Sequence, residues 1–200
     1  MKTELRSQIL QRIKDSNLNA FSCFDFTDLA PYKTVSKCLE RLEDSHEIKR
    51  IIQGVYCVSL FDNVLKLPIL PSIDDIIDCL ARKHKWIICP TGNTALNLMG
   101  LSTQVPASFT YLSSGPYRNY LIYGIPVSLK RATAKELINY SHVTLLLIQC
   151  IKAIGKDNIT DNEINILKLR LNQTDKLKAL KETTIIQAWI RKIVVLICEE

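Results

Sequence analysis

"PYKTVSKCLERLEDSHEIKRIIQGVYCVS", residues 31–59, decides the fold of the first part of the chain. Its first half sets Val35, Cys38, Leu39 and Leu42 at the spacing of one helix face and predicts a helix from just after Pro31 to about Asp44. Lys33, Thr34, Ser36, Lys37, Glu40 and Arg41 are left on the other face. Its second half sets two β-branched runs around a Gln53-Gly54 pair, which reads as a β-hairpin turning at the glycine. A basic pair, Lys49 and Arg50, sits on the first arm of that hairpin.

Toward the N-terminus, "TELRSQILQRIKDS" (3–16) carries Leu5, Ile9, Leu10 and Ile13 as one apolar stripe. Thr3 is its expected cap, with Arg6 where a capping box would hold an acid. "CFDFTDLA" (23–30) reads as a short second helix ending before Pro31. Helix, short helix, helix, hairpin is the order of a winged helix-turn-helix, whose third helix enters the major groove while the hairpin follows the phosphate backbone. On this reading Lys33, Thr34, Ser36, Lys37 and Arg41 face the bases, and Lys49, Arg50 and Gln53 are wing contacts to DNA. The bland reading stands beside it. A polar helix face is usually just a solvated face, winged helices also dock proteins, and Glu40, Glu43 and Asp44 dilute the positive potential. Phe24, Leu39, Leu42, Ile48, Ile51 and Val55 are expected in the core, Ile52 on the other side of its strand, and Tyr56 with its ring packed and its hydroxyl wet.

Bulk properties bound the rest. The chain has 200 residues, 47% hydrophobic and 23% charged, with 6 Gly and 7 Pro, which suits one large or two small globular domains. No apolar run reaches membrane-spanning length, and the first residues carry no signal-peptide pattern, so a cytoplasmic location is expected. The net charge of +6 permits nucleic acid as a partner without requiring it. The first sixty residues hold nine Lys/Arg against eight Asp/Glu, so any DNA affinity there depends on arrangement rather than bulk charge. Seven cysteines, none in a CxxC, read as small buried hydrophobes in a reducing compartment. His46, His84 and His142 stand far apart without ligand-spaced partners, and no metal site or cofactor is expected.

Beyond the hairpin, "FDNVLKLPILPSIDD" (61–75) with Pro68 and Pro71 predicts a linker over 61–70, between a DNA-binding domain at 1–60 and a second domain at 71–200. "SIDDIIDCLARKHK" is a helix capped by Ser72, "WIICP" a buried strand and "TGNTALNLMGL" another helix. Two or three strands follow within 108–132, and helices fill 132–200, including one expected run "TDKLKALKETTIIQAWIRKIVVLI" (174–197). Thr160 and Thr174 are expected as caps without complete capping boxes. The fold class expected is α+β: an N-terminal winged helix-turn-helix, then a mixed α/β domain with a helical C-terminal part. No phosphate loop, GxSxG, HExxH or catalytic carboxylate pair appears, so no catalytic residue is assigned and no enzyme is expected. The polar turn with Tyr117 and Arg118 reads either as a partner-facing surface or as an ordinary β-turn.

"GLSTQVPASFTYLSSGPYR" (100–118), with "CLERLEDSHEIKRIIQGVYCV" and "PTGNTALNLMGL", resembles the AbiEi-type antitoxins of type IV toxin–antitoxin systems, most closely their short bacterial relatives that carry a domain of unknown function. The matching positions run from Leu39 to Leu42, through Gly54 to Tyr56, then Gly92, Leu101 to Pro106, Tyr111, Leu112 and Gly115 to Arg118, within roughly residues 5–131. His46 or Glu47 departs from the pattern, since relatives often have Gly at the end of the third helix. The resemblance implies a winged helix that binds inverted repeats in double-stranded DNA of its own promoter and represses the operon, as a homodimer or cooperative pair on DNA. It implies a C-terminal domain that counters a nucleotidyltransferase-like toxin without a stable complex. Ser102, Thr103, Gln104, Tyr117 and Arg118 are the candidate antitoxin or partner surface. The Gln104 amide reads either as a bridge between loops or as a donor and acceptor for a partner. The alternatives are a winged-helix regulator with a ligand- or protein-binding domain and no toxin, an enzyme acting on nucleic acid, and a pure docking module.

Overall fold

The structure, a computed structural model, describes residues 2–16, 18–62 and 67–199, with the side chains at 2, 3, 61, 62, 134 and 135 outside the description. The fold class is α+β, with small antiparallel and mixed sheets and a helical C-terminal part. The chain divides into two compact units, residues 1–86 and 87–200.

The first unit begins with α1 (Lys2–Asp15), a 3-10 turn (Cys23–Phe26) and α2 (Tyr32–Asp44). Thr3 falls inside α1 rather than ahead of it, and its side chain lies outside the described residues. The hairpin of β1 (Ile48–Ile52) and β2 (Val55–Val58) follows, and it turns at Gly54, whose φ of 73° favours a residue without a Cβ. Ile9, Phe21, Phe26, Val35, Leu39, Leu42, Ile48 and Tyr56 close one core. Phe21 extends the hairpin by one bridge: its N–H donates to the Tyr56 carbonyl at 2.9 Å and its carbonyl accepts from the Tyr56 N–H at 2.8 Å.

Two expected core residues lie elsewhere. Phe24 is 49% exposed because the 3-10 turn repeats every three residues, which sends Cys23 and Phe26 inward together and Phe24 out. Ile51 is only half-buried because the register slips between Arg50 and Ile52, a bulge that leaves it unopposed. α2 ends in a Schellman turn: Glu47 N–H reaches the Leu42 carbonyl at 3.0 Å and His46 N–H the Glu43 carbonyl at 2.9 Å, with His46 at a φ of 59°.

The linker and the domain boundary are corrected. β3 (Leu60–Asp62) pairs with β4 (Leu67–Ile69) as a second hairpin, within which residues 63–66 lie outside the description. α3 (Ile73–His84) then packs against β2 and the 3-10 turn, burying Ile73, Ile76, Ile77, Cys79 and Leu80. Ser72 and Asp75 close its capping box, and Arg82 binds back to Asp25 at 3.0 Å and to the Ala20 carbonyl at 2.8 Å. Of the prolines that looked like linker punctuation, Pro68 therefore lies within the hairpin, opposite Phe61, and Pro71 follows it, and residues 1–60 lack a helix that completes their unit.

The second unit carries a sheet in the order β5 (Ile88–Pro90), β6 (Phe109–Ser113), β8 (Ile125–Arg131) and β7 (Arg118–Ile122). β6 and β8 run parallel, and the other pairs are antiparallel. α4 (Asn93–Leu98) and α6 (His142–Ile154) pack on it, and α6 is buried from Thr144 to Ile151, as befits a helix that is apolar nearly all round. α5 (Ala134–Ile138), α7 (Asp161–Arg170), α8 (Gln173–Glu182) and α9 (Ala188–Cys198) complete the unit. The single helix expected over 174–197 is two, broken at the β-branched Thr183–Ile186 run. Asn172, not Thr174, caps α8, and Thr160 does form a complete capping box with Glu163.

Candidate nucleic-acid interface

A helix is stabilised by acids in its first turn and bases in its last, because its N-terminus carries partial positive charge. α3 obeys the rule, with Asp74 and Asp75 first and Arg82 and Lys83 last. α2 reverses it. No acid stands in its first turn; Lys33 and Lys37 occupy its first half, while Glu40, Glu43 and Asp44 gather at its end. Its N-cap, Pro31, offers no side-chain hydrogen bond. The Pro31 carbonyl takes the Thr34 N–H at 2.8 Å and the Val35 N–H at 3.1 Å, which leaves the N–H groups of Tyr32 and Lys33 at the helix start.

Lys33, Lys37 and Arg41 recur every four residues, so they line one side of α2. All three are exposed, and none makes an ion pair among the described residues. With Thr34 they edge a groove of about 830 Å³ between α1 and α2, floored by Leu5, Leu29, Ala30 and Cys38, with Glu4 and Gln8 on the α1 side. Ser36 lies apart from them. Its hydroxyl donates to Glu40 at 3.4 Å and contacts the Cys23 thiol, which Tyr32 also touches. Burial pushes that thiol up, while Ser36, Tyr32 and the charge of Lys83 pull the other way. Phe24 and Tyr32, both about half exposed, meet with ring centroids 5.1 Å apart at the start of α2.

The hairpin's basic pair separates. Consecutive strand residues point to opposite faces, and Arg50, opposite Tyr56, lies on the α2 side. There its Nη2 donates to Glu43 Oε2 at 2.7 Å, and its guanidinium sits 5.3 Å from the centre of the Tyr56 ring. Lys49, opposite Cys57, is exposed on the other face without an ion pair among the described residues. The exposed Gln53 gives its carbonyl to Lys83 Nζ at 3.2 Å. Three acids elsewhere in the unit are paired internally: Glu47 with Arg6, Asp28 with Arg12, Asp25 with Arg82. Lys83, Tyr32 and the exposed Phe24 escaped the reading of the sequence. None of these carried a local signal, since a four-residue segment does not tell the three-residue repeat that exposes Phe24 from an α-helical one.

In the second unit, bridging falls to Asn97 rather than Gln104. Asn97 Nδ2 donates to the carbonyls of Ser102 at 3.2 Å and Gln104 at 3.0 Å, and Ser102 Oγ accepts from the Gln104 N–H at 3.3 Å. The Thr103 and Gln104 side chains are exposed, as is Val105 at 80%. Ser102–Gln104 lead toward inner strand β6, whereas Tyr117 and Arg118 open edge strand β7. Arg118 is level with Tyr111 through Leu129, two strand positions away, roughly 10 Å.

Among the described residues no three of His, Cys, Asp and Glu group as metal ligands, and no helix is long and apolar enough to cross a membrane. All seven cysteines are buried, and burial pushes the thiols of Cys79, Cys89 and Cys150 up to about 12. They stay protonated near neutral pH and are poor nucleophiles. No curated protein matches the chain. The model of the Family of unknown function (DUF6088) matches residues 8–180, which run through both units, and the chain belongs to that family.

Proposed function

We propose that the first unit is a winged-helix module that binds double-stranded DNA, and that the chain is an antitoxin and autorepressor of a type IV toxin–antitoxin operon. The observation that carries the DNA half is the basic, acid-free first half of α2. Lys33 stands in the first turn, at the positive end of its own helix, a placement that costs stability unless an anion sits there, and Lys37 follows one turn on. A phosphate at that end meets the free N–H groups and both ammonium groups, and Arg41 extends the same edge. The Phe21–Tyr56 bridge also fits, since it ties the hairpin to the helices and holds the wing at a fixed angle. The antitoxin half rests on the likeness of residues 90–118 to the antitoxin family. In that unit the exposed Thr103–Val105 tip, held by Asn97, is the proposed working surface.

The test is a titration of the whole protein on its own upstream DNA and on a scrambled duplex at several salt concentrations. Tighter binding to the upstream DNA, weakening steeply with salt, is expected. Equal, salt-insensitive signals on both would sink the DNA reading. For the antitoxin half, co-expression with a nucleotidyltransferase-like neighbour is expected to restore growth. Failure of that rescue alongside specific DNA binding would leave a regulator without a toxin.

A further inference from the structure

We infer that Lys83, carried by α3, is the wing-tip phosphate contact and the residue that positions the wing. This rests on the reading of the first unit as a DNA-binding module.

Arg50 was the obvious wing cation, but it is held by Glu43 and by the Tyr56 ring. The turn has a second cation beside it. Lys83 Nζ donates to the Gln53 carbonyl at 3.2 Å, and a Cβ built on Gly54 would stand 2.6 Å from the same nitrogen. The positive φ calls for glycine at 54, and the Lys83 ammonium closes on the turn where a Cβ would stand. An ammonium has three donors, and Lys83 makes no ion pair among the described residues. Donors remain for a phosphate passing the tip.

Neighbouring contacts fix where that charge lies. Arg82 is locked to Asp25 and the Ala20 carbonyl, and Asn19 Nδ2 donates to Asp75 at 3.1 Å, so both ends of α3 are tied to this unit. The Cys23 thiol, which touches Tyr32 and Ser36 in the first turns of α2, feels the Lys83 charge. The ammonium therefore lies against the hairpin turn, held there by a helix fixed at both ends. The hairpin turn and Lys83 together offer one contact for a phosphate backbone.

The experiment measures affinity of the full chain for upstream and scrambled DNA across a salt series, for wild type, Lys83→Gln and Lys83→Arg. Glutamine keeps a donor for the Gln53 carbonyl while removing the charge, and melting curves check that both variants fold. Lys83→Gln is expected to weaken binding equally on both duplexes and to flatten the log–log salt slope by about 0.9, the share of one phosphate. Lys83→Arg is expected to restore the slope. A purely structural role would lower affinity without moving the slope, and that result overturns the phosphate contact. Wild type that binds in a salt-dependent way while Lys83→Gln keeps its affinity and slope overturns the inference alone. Wild type without salt-dependent binding overturns the DNA reading and this inference with it.

Discussion

His46 holds a left-handed backbone at the end of α2, a conformation that costs an L-residue roughly 1–2 kcal/mol and glycine little. It is also where the sequence departs from the antitoxin pattern, yet the Schellman turn forms regardless, because the Glu47 and His46 N–H groups still find their carbonyls. The departure is therefore paid in stability, not in geometry. His46→Gly is expected to raise the unfolding free energy by about 0.5–1 kcal/mol in urea melts, the conformational gain less glycine's extra chain entropy. DNA affinity should stay unchanged, and a loss of stability would mean that the imidazole makes a contact of its own. The basic residues divide by the same local logic. Arg50 already spends its charge on Glu43, whereas Lys33 and Lys37 do not have an acid partner among the described residues. Removing Lys33 and Lys37 together is expected to flatten the salt slope of DNA binding by about 2, and Arg50→Ala to leave it nearly unchanged. The reverse ranking would move the proposed phosphate path from α2 to the first arm of the hairpin.

At the scale of elements, α3 shows how a cap becomes a tether. Burial alone would push the Asp75 carboxyl up, but hydrogen bonds from Ser72 and Asn19, with the charge of Arg82, outweigh it and hold the group below its ordinary 3.8. A carboxyl depressed in the folded state binds fewer protons folded than unfolded, so its stabilisation is complete above 3.8 and drains away as pH falls through the lower folded value. Urea midpoints of wild type and Asp75→Asn should accordingly differ most near neutral pH and converge below 3.8. A constant gap would assign the effect to shape rather than charge. Elements built from local periodicity were legible in the sequence: α2 from its four apolar positions, the β1–β2 hairpin from Gly54, the cap of α3 from Ser72. The short turn at Cys23–Phe26 was not, because three and 3.6 residues per turn diverge too little over four residues to separate, yet they decide which side Phe24 takes.

Across the whole molecule, what the sequence hid is partnership. The apolar stripe of α3 announces that the helix is buried, but a stripe does not name its cover, and two prolines just upstream argued for a break. The break comes only after Trp86, where Lys85 turns left-handed and ends the helix. Tyr56 points into the core shared with α1 and α2, so Val55 and Cys57 point to the opposite face of β2, and both are buried, on a strand that packs against α3. A fragment of residues 1–62 uncovers that face and loses Ile73, Ile76, Ile77, Cys79 and Leu80. Fully buried apolar side chains contribute roughly 1.5–3 kcal/mol each, and five of them rival the entire folding margin of a small domain, about 5–15 kcal/mol. A fragment of residues 1–86 keeps all of it, together with the Arg82, Lys83 and Asp75 contacts. Urea unfolding followed by circular dichroism should thus give a cooperative transition for 1–86 and a broad or absent one for 1–62. If 1–62 melts as sharply and at the same urea concentration, α3 is an ornament on a finished module, and Lys83 cannot be holding its wing.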